Sequence, residues 1–300
     1  MPPFNTICII LKPNLSDDFD HVVLNLLPWL IKRKIKIIFL DSEKLKLKKL
    51  VPKIYKSLNF YSEKLALERA ELIITLGGDG TFIGICRKFS AGAPPVFGIN
   101  LGHLGFITEF SSDKFLTHLD ATLRGLYETT NLTLHKVEIF RKNKLIFKSY
   151  FLNDVVIRNG QISRMLKLSV ESNDEHIYNL SGDGLIISSP IGSTAYSMAA
   201  GGPIIHPTVK AITLTPVCAH SLTHRPLVVP SESIIKVIAQ KGTDSVCVTL
   251  DGQEVVTAYA DDQIIVTRSK SRLVQIIKNS NRTYFNTLKE KFTLGAREVK

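Results

Sequence analysis

The residues best suited to chemistry stand five in a row: Gly77-Gly78-Asp79-Gly80-Thr81. An apolar run at 71–76 precedes them and helical spacing through Ile85 and Phe89 follows. Glycine lets the backbone adopt φ > 0 and lets a phosphate come close, and the free N–H groups at a helix start favour an anion by about 0.3–1 kcal/mol. The segment therefore reads as a phosphate loop made of Gly77, Gly78, Gly80 and Thr81. It is neither of the common nucleotide fingerprints: Phe82 and Ile83 stand where a third glycine would fall, and no G-K-[ST] follows. A carboxylate beside a phosphate is repulsive unless it meets Mg2+ or takes a proton from an attacking hydroxyl, which gives Asp79 a chemical reading. The alternative is an Asp that only shapes the turn through its side-chain hydrogen bond.

A second concentration runs from Gly182-Asp183-Gly184 through Gly192-Ser193-Thr194-Ala195-Tyr196-Ser197 to Gly201-Gly202-Pro203. Here a strand enters a turn of small hydroxylated residues expected to expose backbone groups, and Tyr196 offers a flat surface with a polar end, suited to a nucleobase or ribose. A Ser193–Tyr196 hydrolase pair is the competing reading, but Gly192-Ser193 lacks the G-x-S-x-G frame. Asn153-Asp154 sets an amide beside a carboxylate after the apolar stretch 149–152, a pair able to grip vicinal hydroxyls, although Asn-Asp is also ordinary turn chemistry. The eight histidines show no metal-ligand spacing, and His220 and His224 read as structural or exposed loop residues.

These residues need a scaffold. Up to residue 128 the pattern alternates strand and helix: strands at 6–11, 35–40, 71–76 and 95–100, and helices at 16–31 and 111–124, the latter capped by Ser111 or Ser112. This is a parallel, Rossmann-like α/β domain. From about 132 the apolar period drops to two, as in 167–171 and 245–250, with Asn173-Asp174, Asp251-Gly252 and Asp261-Asp262 as turns. The reading is an α/β domain at 1–128, an all-β, sandwich-like domain at 129–272, and a tail at 273–300, strand then helix, returning to the first domain.

Composition narrows the class further. With 44% hydrophobic and 22% charged residues, the chain of 300 residues can bury a large core without a metal or disulfide staple. Cys8, Cys86, Cys218 and Cys247 form no C-x-x-C pair and no leader opens the chain, which together point to a reducing cytoplasm. No apolar run approaches the roughly 18 residues a membrane span needs. The net charge of +11 and pI near 9.4 invite nucleic-acid binding, but much of the excess lies at 32–36 and 44–56, where lysines alternate with Leu and Ile on amphipathic elements with solvated faces. No nucleic-acid partner and no membrane are expected.

Taken together these motifs resemble the NAD kinase family. Gly77 to Thr81 is similar to its GGDG signature, Gly98-Ile99-Asn100 with Gly102 and Gly105-Phe106 to its GIN-x-G-x-x-GF segment, and Asp183 to Pro203 to its DGL…STAY…GGP segment. Arg225-Pro226-Leu227 and Tyr284-Phe285-Asn286-Thr287-Leu288 also match. GGDG alone is shared with lipid kinases and 6-phosphofructokinases; the GSTAY and GGP run narrows the resemblance. It implies ATP and NAD as substrates, a divalent cation such as Mg2+, a dimer or tetramer of identical chains, and in-line transfer of phosphate to the adenosine-ribose 2′-hydroxyl. Asp79 would be the catalytic carboxylate, and Asp79, Gly80, Phe106, Asn153, Asp154, Asp183, Thr194, Ala195 and Tyr196 would bind NAD; no metal ligand is assigned. Three positions depart from the family pattern: Asp154 where Glu is usual, Ile191 where Thr or Ser is common, and Ser181 where some members carry Arg. A lipid kinase would want an apolar acceptor groove, which the hydroxyl-rich 192–196 loop does not suit, and a catalytically silent NADP(H) sensor would not need Asp79.

Overall fold

A strand covered on both faces has no polar side to present, and the runs that are apolar at every position become the central strands of a parallel sheet. In the computed structural model, which describes residues 4–12, 17–102, 105–160, 165–240, 243 and 245–292, the parallel strands are β1 (Thr6–Leu11), β2 (Lys36–Leu40), β3 (Asn59–Tyr61), β4 (Leu72–Leu76), β5 (Val96–Asn100) and β6 (Phe110–Ser111), of which β1 and β4 are the most continuously apolar. They pair in parallel in the order β3-β2-β1-β4-β5-β6. Between them lie α1 (Asp17–Lys32), α2 (Lys44–Leu50), α3 (Glu63–Arg69) and α4 (Asp79–Cys86), and α5 (Phe115–Leu123) follows β6. β4 and β5 are buried at every position. Phe19, Val22, Val23, Leu26, Leu27 and Leu30 recur at helical spacing on α1 and pack with Ile7, Ile9 and Ile74 in one core, each such side chain contributing roughly 1.5–3 kcal/mol by leaving water.

The order of this sheet fixes where a ligand goes. Strand order reverses between β1 and β4, and an open α/β sheet binds its ligand beyond the carboxyl ends of the strands at such a reversal. The 77–81 loop leaves β4 at that end, where Lys12 N–H, just past β1, donates to Leu76 O at 2.8 Å.

Contacts divide the chain into two units, one running to Leu132 and resuming at Leu273, the other spanning Thr133–Arg272. The chain passes between them along β7 (Thr129–Arg141) and β18 (Gln263–Ile277); the strands between are β8 (Lys144–Phe151), β9 (Asp154–Asn159), β10 (Leu166–Ser172), β11 (Glu175–Gly182), β12 (Gly184–Ser188), β13 (Ala211–Val217), β14 (Leu227–Pro230), β15 (Ile235–Ala239), β16 (Val246–Leu250) and β17 (Glu254–Ala258). One sheet of the second unit runs β14-β13-β12-β9-β16-β17; the other runs β11-β10-β15-β18, with β7 beside β18 and β8 beside β7. Alternation puts every second residue of β15 and β16 inside, and their inner faces meet in a core with Val137, Ile157, Val170 and Ile187. The hairpin turns at Asn173-Asp174 and Asp251-Gly252 have φ of 51° and 65° in each case, the conformation Asn, Asp and Gly tolerate. The end of β18 belongs to the first unit, where Ile276 pairs with Val96, and α7 (Tyr284–Phe292) follows.

The expected start of the 111–124 helix is corrected. Ser111 pairs with Asn100 as part of β6, and Lys114 N–H donates to Ser111 O at 3.4 Å, closing a turn that delays the helix to Phe115 with no side-chain cap. Ser16, the expected start of the first helix, lies outside the described residues. The lysines at 44–49 fit the solvated-face reading, because α2 buries Leu47 and exposes Lys44, Lys48 and Lys49.

Glu43 is a buried carboxyl that accepts from Leu11 N at 2.9 Å and Leu40 N at 3.3 Å, tying the ends of β1 and β2. Burial pushes it up from 4.5 to about 7 against the pull of those two N–H groups and of Lys46. Between those values the folded chain keeps a proton that the unfolded chain has released, so stability falls as pH rises through the window, by at most about 3 kcal/mol. The Glu43→Gln variant cannot ionise. Thermal melts from pH 4 to 8 should therefore show its stability relative to the native chain improving across the window; a constant difference would contradict the assignment.

Candidate functional site

Asp79 opens α4, with Gly78 as its N-cap, but its carboxylate does not point along the helix. It turns to the 106–108 backbone, where Oδ2 accepts from Phe106 N at 2.8 Å and Oδ1 accepts from Ile107 N at 3.3 Å, Thr108 N at 3.0 Å and Thr108 Oγ1 at 2.8 Å. The gripping segment is itself braced. Asn100 Nδ2 donates to Thr108 Oγ1 at 2.8 Å, and Asn100 Oδ1 accepts from Gly102 N at 3.0 Å. A Cβ on Gly105 would fall on the Asp79 carboxylate, so that glycine makes room for the grip.

The glycines of the loop itself have different causes. Gly77 N–H donates to Ile99 O at 3.0 Å, and a Cβ there would meet Thr81 Cβ at 2.9 Å. At Gly78 and Gly80 an added Cβ meets nothing within 4 Å, and neither has positive φ. Packing therefore does not demand glycine at these two positions, and Gly80 is exposed at the helix start. Phe106 packs against Phe292 of α7 with ring centroids 5.6 Å apart, and Lys291 Nζ lies 5.6 Å from its ring. Glu109 is paired with Lys278 and accepts from Asn279 N at 2.8 Å. The returning tail thus braces the segment that holds Asp79.

In the second unit, Asn153 immediately precedes β9 and Asp154 is its first residue. Ser189 N–H donates to Asn153 O at 2.8 Å, Ser189 Oγ donates to Leu152 O at 2.5 Å, and a Cβ on Gly192 would collide with the Asn153 backbone. The Asn153 Oδ1 is buried without a hydrogen-bond partner among the described residues. Asp154 is buried, and its carboxyl is pushed up to about 7 by burial and, secondarily, by the charge of Asp251. Asp251 reads from its neighbours as a turn residue only, yet its carboxylate collects the N–H groups of Leu152, Asn153 and Asp154. Its one advance signal was a charged residue at the first position of a tight turn where Asn would serve.

The 189–196 turn buries the side chains of Ser189 and Ser193. Its serines do not open the turn outward: Ser193 is fully buried, its Oγ lying 2.6 Å from Pro190 O and accepting from Ile205 N at 3.0 Å. Ile191–Thr194 forms a 3-10 turn that delivers Thr194 and Ala195, both half-buried, to α6 (Tyr196–Ala199). Tyr196 is 50% exposed. Asp183 is exposed, and its hydrogen bond holds the Cys218 thiol above its usual range. The structure thus brings Asp79, Gly80 and Phe106 together in the first unit. Asn153, Asp154 and the 189–194 turn meet in the second.

Residues 7–127 match the ATP-NAD kinase N-terminal domain and residues 152–278 the ATP-NAD kinase C-terminal domain. The chain is 34% identical to the NAD kinase of Solibacter usitatus over 99% of its own length and all of the relative's. It is 38% identical to the NAD kinase of Trichlorobacter lovleyi over 79% of this chain and 83% of that one. Among solved structures, the fold is similar to yeast NADH kinase complexed with NADH, with TM-score 0.89 and 23% identity over 99% of this chain and 91% of that one. A second, the NAD kinase of Archaeoglobus fulgidus in complex with ATP, gives a TM-score of 0.72 and 24% identity over 95% and 98% of the two chains. The protein is a two-domain nucleotide-dependent phosphotransferase in fold. The chain belongs to the ATP-NAD kinase family.

Since a methyl group at Gly105 would displace the Asp79 carboxylate, Gly105→Ala should lower kcat by about 10²-fold, the scale of a small misplacement of a reacting group. Its far-UV circular dichroism should stay native. Native-like turnover would show that the grip on Asp79 has no part in catalysis.

Proposed function

We propose that this chain phosphorylates NAD to NADP, transferring the terminal phosphate of ATP in line to the adenosine-ribose 2′-hydroxyl, with Asp79 as the carboxylate that orients or deprotonates that hydroxyl. The observation that carries the reading is the Asp79 grip. Oδ1 takes three of the four hydrogen bonds and Oδ2 takes one, so Oδ2 keeps more of its lone-pair capacity for an incoming hydroxyl. The open space over Gly78 and Gly80 supports close approach of phosphate to the loop, and the start of α4 supplies N–H groups suited to it.

Acceptor binding falls to Phe106, Asn153, Asp154, Asp183, Thr194, Ala195 and Tyr196. The unpartnered Asn153 Oδ1 supports a ligand donor there, and the half-exposed Tyr196 ring supports stacking on a base or sugar. Among the described residues no three His, Cys, Asp or Glu side chains stand together as a cation site; we place Mg2+ with the ATP phosphates it accompanies, and the protein supplies positioning. A cytoplasmic location is supported by the scattered free cysteines. Among the described residues no helix is long and apolar enough to cross a membrane. Assembly of identical chains rests on the resemblance to the family.

The deciding experiment incubates purified protein with NAD and either ATP or polyphosphate, with and without Mg2+, and measures NADP. Formation of NADP from ATP is expected, and diacylglycerol offered in place of NAD should remain unphosphorylated. Asp79→Asn should keep the fold and much of the NAD affinity while turnover drops at least ~10²-fold, the usual scale for a general base. Turnover near that of the native chain would remove Asp79 from the reaction.

A further inference from the structure

We infer that Asp251 is a positioning residue for the acceptor site: its carboxylate fixes the 152–154 backbone so that the Asn153 amide faces the dinucleotide. The inference rests on the reading of Asn153 as an NAD-binding residue and adds a component to it.

Three consecutive N–H groups converge on this one side chain. Leu152 N donates to Oδ2 at 2.9 Å, while Asn153 N and Asp154 N donate to Oδ1 at 2.7 and 3.1 Å. Hydrogen bonds to an ionised acceptor are about twice as strong as neutral ones. The β9 ladder begins only at Asp154, which pairs with Ser188, so the N–H groups of Leu152 and Asn153 precede the ladder and are satisfied by Asp251 instead. The bond from Asp251 N to Asp154 O at 2.9 Å closes the exchange.

The turn alone does not explain this side chain. Asp251 and Gly252 have φ of 51° and 65°, and Asn enters that region as readily as Asp. A carboxylate here also stands beside the buried Asp154 carboxyl, an arrangement that disfavours charge on both. What the carboxylate gains in return is the triple grip. On the other side, Ser189 and Gly192 close on the Asn153 main chain. The main chain is thereby held from two directions, while the Oδ1 of the Asn153 side chain has no partner among the described residues. Asp251 acts through that backbone and not on the substrate itself.

Asp251→Asn keeps the turn residue and one acceptor oxygen, but it loses the charge and sets an amide NH2 against backbone N–H groups. Its KM for NAD should rise by about 10-fold or more, the value of a charged hydrogen bond, with kcat and the KM for ATP unchanged. In a double-mutant cycle with Asn153→Ala, the two effects on NAD binding should be less than additive, because one residue works through the other. An unchanged KM for NAD, an equal rise for ATP, or strict additivity would each overturn the inference. If Asn153→Ala itself leaves the KM for NAD unchanged, the underlying reading of Asn153 fails as well; if it raises KM while Asp251→Asn is silent, only the role of Asp251 fails. Should Asp251→Asn not fold, Asp251→Glu, which keeps the charge but moves it by one methylene, is judged by the same split between the two KM values.

Discussion

A carboxylate set at the start of a helix, in a loop open to phosphate, is drawn towards that helix's own N–H groups and repelled by the phosphate. The arrangement of the first unit around the 77–81 loop depends on overcoming both tendencies at Asp79. The grip of 106–108 does so by offering better donors elsewhere: three backbone N–H groups and a hydroxyl, all from one short segment. That segment leaves the end of β5, beside the strand that delivers Asp79. Strand order, loop length and the Gly105 vacancy are thus parts of one arrangement, and the bracing of 106–109 by Asn100 from below and by Lys278 and Asn279 from the returning tail keeps it from relaxing.

The second unit uses the same physics in reverse. There the side chain to be aimed is a neutral amide, and the carboxylate of Asp251 holds the backbone beneath it. In both cases backbone N–H groups that lie outside any ladder are matched to one acidic side chain, and glycine supplies the room: Gly105 beneath Asp79, Gly192 against Asn153. Backbone donors have no rotamer freedom to lose, so this is a cheap way to hold a functional group in one orientation.

The parts of this arrangement visible in the sequence are those with local signatures. Continuous apolar runs at 6–11 and 71–76 announced β1 and β4, and the glycine-dense segment announced a tight turn between strand and helix, because periodicity and φ preference are properties of neighbouring residues. Short elements such as β3 (Asn59–Tyr61) and α3 (Glu63–Arg69) left too few residues for a period to register. The Ser111 cap failed because a two-residue strand took precedence over a helix start. The grips themselves were illegible for a deeper reason. Asp79 meets residues 27 to 29 positions away and Asp251 meets residues 97 to 99 positions away, and apart from the Thr108 hydroxyl the partners are main chain, which carries no residue type to read.

The departure at Asp154 shows how such a grip interacts with sequence change. Where the family pattern commonly has Glu, the shorter Asp keeps its carboxyl at 5% exposure in the neighbourhood of Asp251. Two carboxyls so placed cannot both carry charge without cost, and the one with fewer donors takes the proton. Asp251 has three N–H groups on its carboxylate, while burial first and the charge of Asp251 second raise the Asp154 carboxyl to about 7. Near neutral pH Asp154 can then donate a hydrogen bond as well as accept one. Under the proposed function this carboxyl meets a ribose, whose hydroxyls do both, and one poised between the two states loses less from its shorter reach than a permanently ionised one would.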